Sequence, residues 1–308
     1  MTNPRTLERI ERLAIPPAWT DVWICRSRRG HMQATGRDAR GRKQYRYHPD
    51  WREGQDRMKH RRMVRFARRL PPLRATARRH LRRRGRPREK ALATAVLILD
   101  RTAIRIGSEE YARSNGTYGL ATMRSRHVTV EADTVILDFT GKGGKRHQAE
   151  VTDPAIATAV KAMDRLPGQE VLSYREDDGA VADVTSGDIN DYIKEIAGEE
   201  FSSKDFRTWA ATVATAVALD LIGPEETERG RLRAVRDAVK AVELLIGNTP
   251  TVCRANYIDP RVIDRYMGGF TLSTPRPRVR GAGRGLNMHE ELTLALLRRR
   301  PRRRRKAG

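Results

Sequence analysis

Short alternating runs dominate the first fifty residues and longer apolar stretches the remainder, so the pattern predicts strands first and helices afterwards. Val22-Trp23-Ile24-Cys25 reads as a strand. Residues 32–34 and 44–47 read as a strand pair around a polar turn from Gly36 to Gly41. From Arg52 to Lys90 the chain is overwhelmingly basic, yet Met58, Met63, Val64, Phe66 and Leu70 give part of it an apolar side. This predicts a basic helix whose charge faces an anion. Residues 91–105 have the length and apolar density of a buried helix, with Arg105 as a charge at its C-terminal end. Strands follow at 127–130, 135–139 and 148–151, turning at Glu131-Ala132-Asp133 and at 141–145. Helices are predicted at 155–166 behind Asp153-Pro154, at 189–197, at 205–222 before Gly223-Pro224, and at 232–246 before Gly247. Two short helices, 251–258 and 261–267, precede Gly268-Gly269.

These elements describe an α+β chain. A small β-rich N-terminal domain covers residues 1–82, and a mostly α-helical domain with a three-stranded β piece covers 83–270. Residues 271–308 are expected to be a basic, disordered tail, since 298–306 are nearly all basic. The 38% hydrophobic content supports real cores in 308 residues. No apolar run approaches the ~20 residues of a membrane span, and the N-terminus lacks the apolar centre of a secretory signal. Two cysteines, Cys25 and Cys253, make neither a disulfide framework nor a zinc spacing. A soluble, cytoplasmic (nucleoid) setting and a monomeric chain are the expectation.

Charge narrows the function. The formal net charge is +24, and 52 arginines stand against 10 lysines. Guanidinium suits forked contacts to phosphate, so a polyanionic partner is expected, double-stranded DNA above all and no membrane. Charge does not separate an enzyme from a passive binder. No G-x-x-x-x-G-K-[ST] loop is present, and Gly141-Lys142-Gly143-Gly144-Lys145 has the wrong spacing for one. The seven histidines form no metal-spaced pair beside carboxylates, and acidic residues near the basic motifs are single. No cofactor and no metal are therefore expected.

Breaking a phosphodiester with side chains alone needs a nucleophile, cations on the non-bridging oxygens, and an acid for the leaving oxygen. A tyrosine nucleophile conserves the bond energy in a phosphotyrosine, and nearby guanidiniums are needed to favour its phenolate. Four segments carry such groups: Ile104-Arg105-Ile106-Gly107, Phe139-Thr140-Gly141-Lys142, Lys204-Asp205-Phe206-Arg207-Thr208-Trp209, and Gly247-Asn248-Thr249-Pro250 running on to Tyr257. Their order and spacing resemble the type IB DNA topoisomerases, in particular the small poxvirus and bacterial branch, whose catalytic core is shared with tyrosine recombinases. Gly41-Arg42-Lys43-Gln44-Tyr45-Arg46-Tyr47 resembles that branch's DNA-clamping segment, so the resemblance covers about residues 15–268. It implies supercoil relaxation without ATP or metal, through transient single-strand cleavage and religation. It makes Tyr257 the nucleophile joined to a 3′-phosphate, with Tyr266 the second candidate. Arg105 and Arg207 would hold phosphate oxygens, and Lys142 would be the general acid. Lys204 would assist or contact the backbone, Tyr111 would contact phosphate, and Lys43, Gln44, Tyr45 and Tyr47 would bind DNA. Asn248 stands where many members have histidine, and an amide can donate a hydrogen bond there but carries no proton.

Each residue also has a plainer reading. Tyr257 could be a packing tyrosine, Lys142 a solvated turn lysine and Asn248 a loop cap. Arg207 fits poorly as a plain residue, because a helix N-terminus disfavours a cation. Two rival functions share parts of the pattern. A tyrosine recombinase usually has a Gly-His-Ser or Gly-His-Thr lead to its tyrosine, which Asn248 departs from. A histone-like compacting protein explains the charge but not the spaced motifs.

Overall fold

The computed structural model describes residues 3–84, 87–273 and 285–298. Two compact units emerge, Met1–Arg62 and Met63–Gly308.

In the first unit, Asn3 caps helix α1 (Pro4–Arg12), its Oδ1 accepting from Arg5 N–H at 2.9 Å. Nothing in the hydrophobic pattern predicted this helix, because none of its residues is buried. A three-stranded antiparallel sheet follows in the order β1 (Thr20–Ile24), β2 (Met32–Arg37) and β3 (Lys43–Tyr47). The central strand buries Gln33, Ala34 and Thr35. The predicted turn shrinks to 38–42, where Asp38 accepts from the N–H groups of Arg40 and Arg42, each at 3.0 Å.

Helix α2 (Pro49–Arg82) carries the basic segment, and its apolar side runs further than the sequence reading took it. Its later residues Met63, Phe66, Leu70, Leu73, Ala77 and Leu81 are all buried and recur every three or four positions. That is the stripe of a core helix, so only its other faces are free for charge. The two units divide at 62/63, within this helix.

The second unit continues with α3 (Pro87–Thr102), buried almost throughout from Ala91 to Leu99, and α4 (Glu109–Asn115). The sheet β4 (Val128–Glu131), β5 (Thr134–Thr140) and β6 (Arg146–Thr152) is antiparallel and in register from Thr134↔Thr152 to Thr140↔Arg146. Next come α5 (Pro154–Met163), the hairpin β7 (Ser173–Arg175) and β8 (Val181–Asp183), α6 (Ser186–Ala197), α7 (Ser203–Ile222) and α8 (Glu228–Ile246). Then α9 (Pro250–Asn256), α10 (Pro260–Met267) and α11 (Met288–Arg298) close the described chain. Phe66 of α2 meets Phe206 of α7 edge-on at 5.0 Å, joining the basic helix to the core.

α11 corrects the expectation of a disordered tail over 271–308. Thr293, Leu294, Leu296 and Leu297 are buried. Glu290 accepts from Trp209 Nε1 of α7 at 3.1 Å and from Arg74 of α2 at 2.7 Å, while Arg74 also grips Asp100 of α3 at 2.8 Å. Burial pushes the Glu290 carboxyl up, but Arg74 outweighs it and holds the group below its ordinary range. Residues 274–284 and the basic run 299–308 lie outside the described residues.

Candidate active site

α3 ends at Thr102, and Ala103 turns to φ +52. Arg105 therefore stands in the loop beyond the helix and does not close it as predicted. Its carbonyl accepts from Leu120 N–H at 2.9 Å, and that of Ile106 from Ala121 N–H at 2.7 Å, which anchors the loop. Lys142 sits exposed on the turn between β5 and β6, closed by Gly141 N–H to Lys145 C=O at 2.8 Å. Gly143 and Gly144 turn it with φ +81 and +73, a region costly to any residue with a Cβ.

Arg207 lies in the first turns of α7 and is only 5% exposed. A buried cation at a helix N-terminus is unfavourable by itself. Two other helix ends offset it. Its Nη1 donates to the Ala103 carbonyl just past α3, and its Nη2 to the carbonyl of Ile246, the last residue of α8, at 2.8 Å. Carbonyls at helix C-termini lack intrahelical partners and sit at the negative end of the dipole.

Gly247 ends α8 in the left-handed region (φ +65), and Asn248 follows. Asn248 Oδ1 accepts from Arg105 Nη2 at 2.8 Å and from Arg207 Nη2 at 3.0 Å. Guanidinium groups only donate, so the amide oxygen must face them. The amide NH2 then has no protein partner among the described residues. Neither do the buried Nε–H groups of Arg105 and Arg207. The site thus gathers two cations and several N–H donors that engage no other described residue.

Tyr257 caps α9, its N–H bonded to Cys253 C=O at 2.9 Å. Its own carbonyl accepts from Thr212 Oγ1 at 3.3 Å, tying it to the helix that carries Arg207. The Arg207 guanidinium carbon lies 5.3 Å from the phenol centroid. Burial raises the phenol pKa, but the charges of Arg207 and Arg105 and their hydrogen bonding outweigh it and bring the group below its usual value. Burial, then the charge of Arg105, lowers Arg207 to about 10, so it stays charged at neutral pH. Tyr266 is 2% exposed and donates to Gly223 C=O at 2.7 Å, which engages its hydroxyl elsewhere.

One cleft of about 380 Å³ is lined by Arg105, Tyr111, Lys142, Lys204, Arg207 and Tyr257. The fold brings these six together from five separate segments, with Asn248 bonded to both arginines. It also adds residues the sequence reading missed. Ser203 and Tyr118 line the cleft, and His147 packs between Gly141 and Gly247. Only tertiary proximity marks these three, since none sits in a recognisable motif. Among the described residues, no group of three or more His, Cys, Asp or Glu is placed to hold a metal ion, and no helix is long and apolar enough to cross a membrane.

In the first unit, Lys43, Tyr45 and Tyr47 share one face of β3, with Lys43 Nζ 5.9 Å from the Tyr45 centroid. Tyr45 and Tyr47 stack at 5.9 Å, and Tyr47 stacks on Trp51 at 4.4 Å. Gln44 points to the other face, where its Nε2 donates to Asp38 Oδ2 at 2.9 Å.

Comparison with known proteins gives the family. The family profile described as "Eukaryotic DNA topoisomerase I, catalytic core" matches residues 48–268, and that of "Bacterial DNA topoisomerase IB, N-terminal domain" matches residues 1–38. DNA topoisomerase 1B of Acanthamoeba polyphaga mimivirus is 30% identical over 270 residues, 85% of this chain and 80% of that protein. DNA topoisomerase 1B of vaccinia virus (strain Copenhagen) is 20% identical over 272 residues, covering 85% and 82%. DNA topoisomerase 1 of Schizosaccharomyces pombe is 27% identical over 168 residues, 54% of this chain and 20% of that protein. With a catalytic-core match over most of its length and a viral relative 30% identical across four-fifths of that protein, the chain belongs to the type IB DNA topoisomerases and is an enzyme of that family.

Proposed function

We propose that this chain, acting as a monomer on duplex DNA, relaxes supercoils without ATP or metal by cutting and resealing one strand through Tyr257. The observation that carries the reading is the Tyr257 phenol lying against two arginines bridged by the Asn248 amide, in one cleft with Lys142. The scissile phosphate suits these donors in charge and hydrogen bonding. Two non-bridging oxygens meet the guanidiniums of Arg105 and Arg207 and the NH2 of Asn248, all donors already held in place. The Tyr257 oxygen, its phenolate favoured by the same arginines, bonds to phosphorus, and the bond from phosphorus to the 5′-oxygen breaks. Lys142 gives its proton to that oxygen, leaving a 3′-phosphotyrosine and a free 5′-hydroxyl. The free end swivels about the intact strand. The 5′-hydroxyl then attacks phosphorus, its proton returns to Lys142, and Tyr257 leaves.

Tyr111 and Lys204 line the cleft where they can contact the DNA backbone beside the cut. On β3, the exposed face of Lys43, Tyr45 and Tyr47 suits contact with DNA. Gln44 takes a lesser part there, since it is bonded to Asp38.

Plasmid relaxation in EDTA without nucleotide tests the activity. Tyr257→Phe removes one hydroxyl from an otherwise intact site, so DNA binding persists while relaxation and covalent adduct vanish. An adduct retained by this variant reassigns the nucleophile.

A further inference from the structure

His147 lies on β6 directly opposite Phe139 of β5, and the two rings stack at 5.6 Å and 22°. Its imidazole also lies against two backbone segments about a hundred residues apart in the chain. A Cβ built on Gly141 would fall 2.4 Å from His147 Cδ2, and one built on Gly247 would fall 2.2 Å from His147 Cε1. Real Cβ atoms are not found that close, so both positions need glycine because the ring fills the space. Gly141 immediately precedes Lys142, and Gly247 immediately precedes Asn248.

The ring is therefore a wedge between the turn that carries Lys142 and the loop that carries Asn248. Neither of its nitrogens has a hydrogen-bond partner among the described residues, so it acts there by shape. The turn needs such support. Lys142 is exposed, its two following residues are glycines at positive φ, and nothing on its own strand fixes the ammonium relative to the arginines.

We infer that His147 is a positioning residue, which sets the Lys142 turn at the correct distance from the Arg105–Asn248–Arg207 cluster. This rests on the reading of Lys142 as the acid that protonates the leaving 5′-oxygen. Misplacing a catalytic group by ~1 Å costs on the order of 100-fold in rate. The residue touches no reacting atom. Its effect reaches the chemistry only through the proton that Lys142 delivers.

That selectivity supplies the test. Single-turnover cleavage is measured for His147→Ala and Lys142→Ala on ordinary DNA and on DNA whose bridging 5′-oxygen is replaced by sulfur, a leaving group that needs no proton. His147→Ala should cleave ordinary DNA roughly 10- to 100-fold more slowly. The sulfur substrate should return it to near the rate of the unmutated enzyme, as it does for Lys142→Ala, with DNA affinity unchanged. A loss that is equal on both substrates, while Lys142→Ala is rescued, overturns the inference and makes the ring a general support of the core. An unimpaired His147→Ala also overturns it. Failure of the sulfur substrate to rescue Lys142→Ala instead removes the acid role of Lys142, and the inference falls with it. Should melting curves show that His147→Ala does not fold, His147→Val, which keeps the strand residue but shortens the wedge between the two glycines, carries the same comparison.

Discussion

The Arg105–Asn248–Arg207–Tyr257 cluster and the Lys43–Tyr45–Tyr47 face of β3 are both basic and aromatic, but they are built differently. In the cluster the charges are buried or half-buried and mutually bonded, and the tyrosine is 8% exposed. On β3 the tyrosines stack on one another, and Tyr45 is 43% exposed. Buried, interlinked donors cannot reorganise, so they stabilise charge that appears at one place. An exposed stacked face adapts to whatever lies on it and contributes to affinity in smaller steps.

Arg207→Ala breaks this contrast hardest. It removes a phosphate donor and leaves the Ala103 and Ile246 carbonyls without their partner. Cleavage should fall roughly 10³- to 10⁵-fold, the range for losing a transition-state arginine. Stability should fall by about 1–3 kcal/mol from the buried unpaired carbonyls. Single-turnover rates and urea melts read the two effects separately, and a variant that keeps its rate refutes the assignment.

Asn248 comes next. Asn248→Ala should slow cleavage roughly 10- to 1000-fold, as for the loss of one fixed donor, and should also free the two arginines from each other. Asn248→His should remain active, because an imidazole can donate at the same place. A dead histidine variant shows that the bridge to both arginines, which needs an acceptor, matters more than the donor.

The β3 face should respond mildly. Tyr45→Ala is expected to weaken DNA binding by about 1 kcal/mol, roughly five-fold in Kd. Cleavage at saturating enzyme should stay nearly constant. A large change in the saturated rate instead makes this face part of the catalytic machinery. Gln44→Ala should change affinity less than Tyr45→Ala, since its amide serves Asp38.

The smallest effect is on pH dependence. Burial, then Arg105, Arg207 and Lys145, pushes the His147 imidazole below its ordinary 6.5. Burial, then Arg126 and Arg124, does the same at His127. The unfolded chain therefore takes up these protons first. Their contribution to stability is complete above about pH 6.5 and is lost as pH falls toward the folded values. His147→Gln should melt with a shallower loss between pH 7 and pH 5 than the unmutated protein. Parallel curves refute the lowered proton affinity of His147.

Legibility varied from element to element for physical reasons. The apolar run 91–99, the strands around Lys142 and the helix carrying Arg207 were readable because each buries a long or periodic apolar face. α1 was not readable, since it buries nothing and forms on a cap, a proline and the grip of Arg9 on Gln33 at 2.8 Å. The apolar side of α2 was legible at Met63, Phe66 and Leu70, but the surrounding arginines hid its continuation through Leu73, Ala77 and Leu81. α11 was taken for tail because glycine, proline and arginine surround it, and its reason to fold lies in Trp209, Arg74 and the burial of its own Leu294, Leu296 and Leu297.

The motifs, through the resemblance that their order and spacing carry, pointed to Tyr257, Arg105, Lys142, Arg207 and Asn248. Only the tertiary structure decided how they meet. A buried guanidinium on α7 is tolerable because the C-terminal ends of α3 and α8 converge on it. The Asn248 amide is oriented because two donors reach it from different segments. His147 gained its place because two glycines, about a hundred residues apart, leave room for one ring. Each of these depends on desolvation and contact between distant segments, which are properties of the folded chain that no local pattern carries.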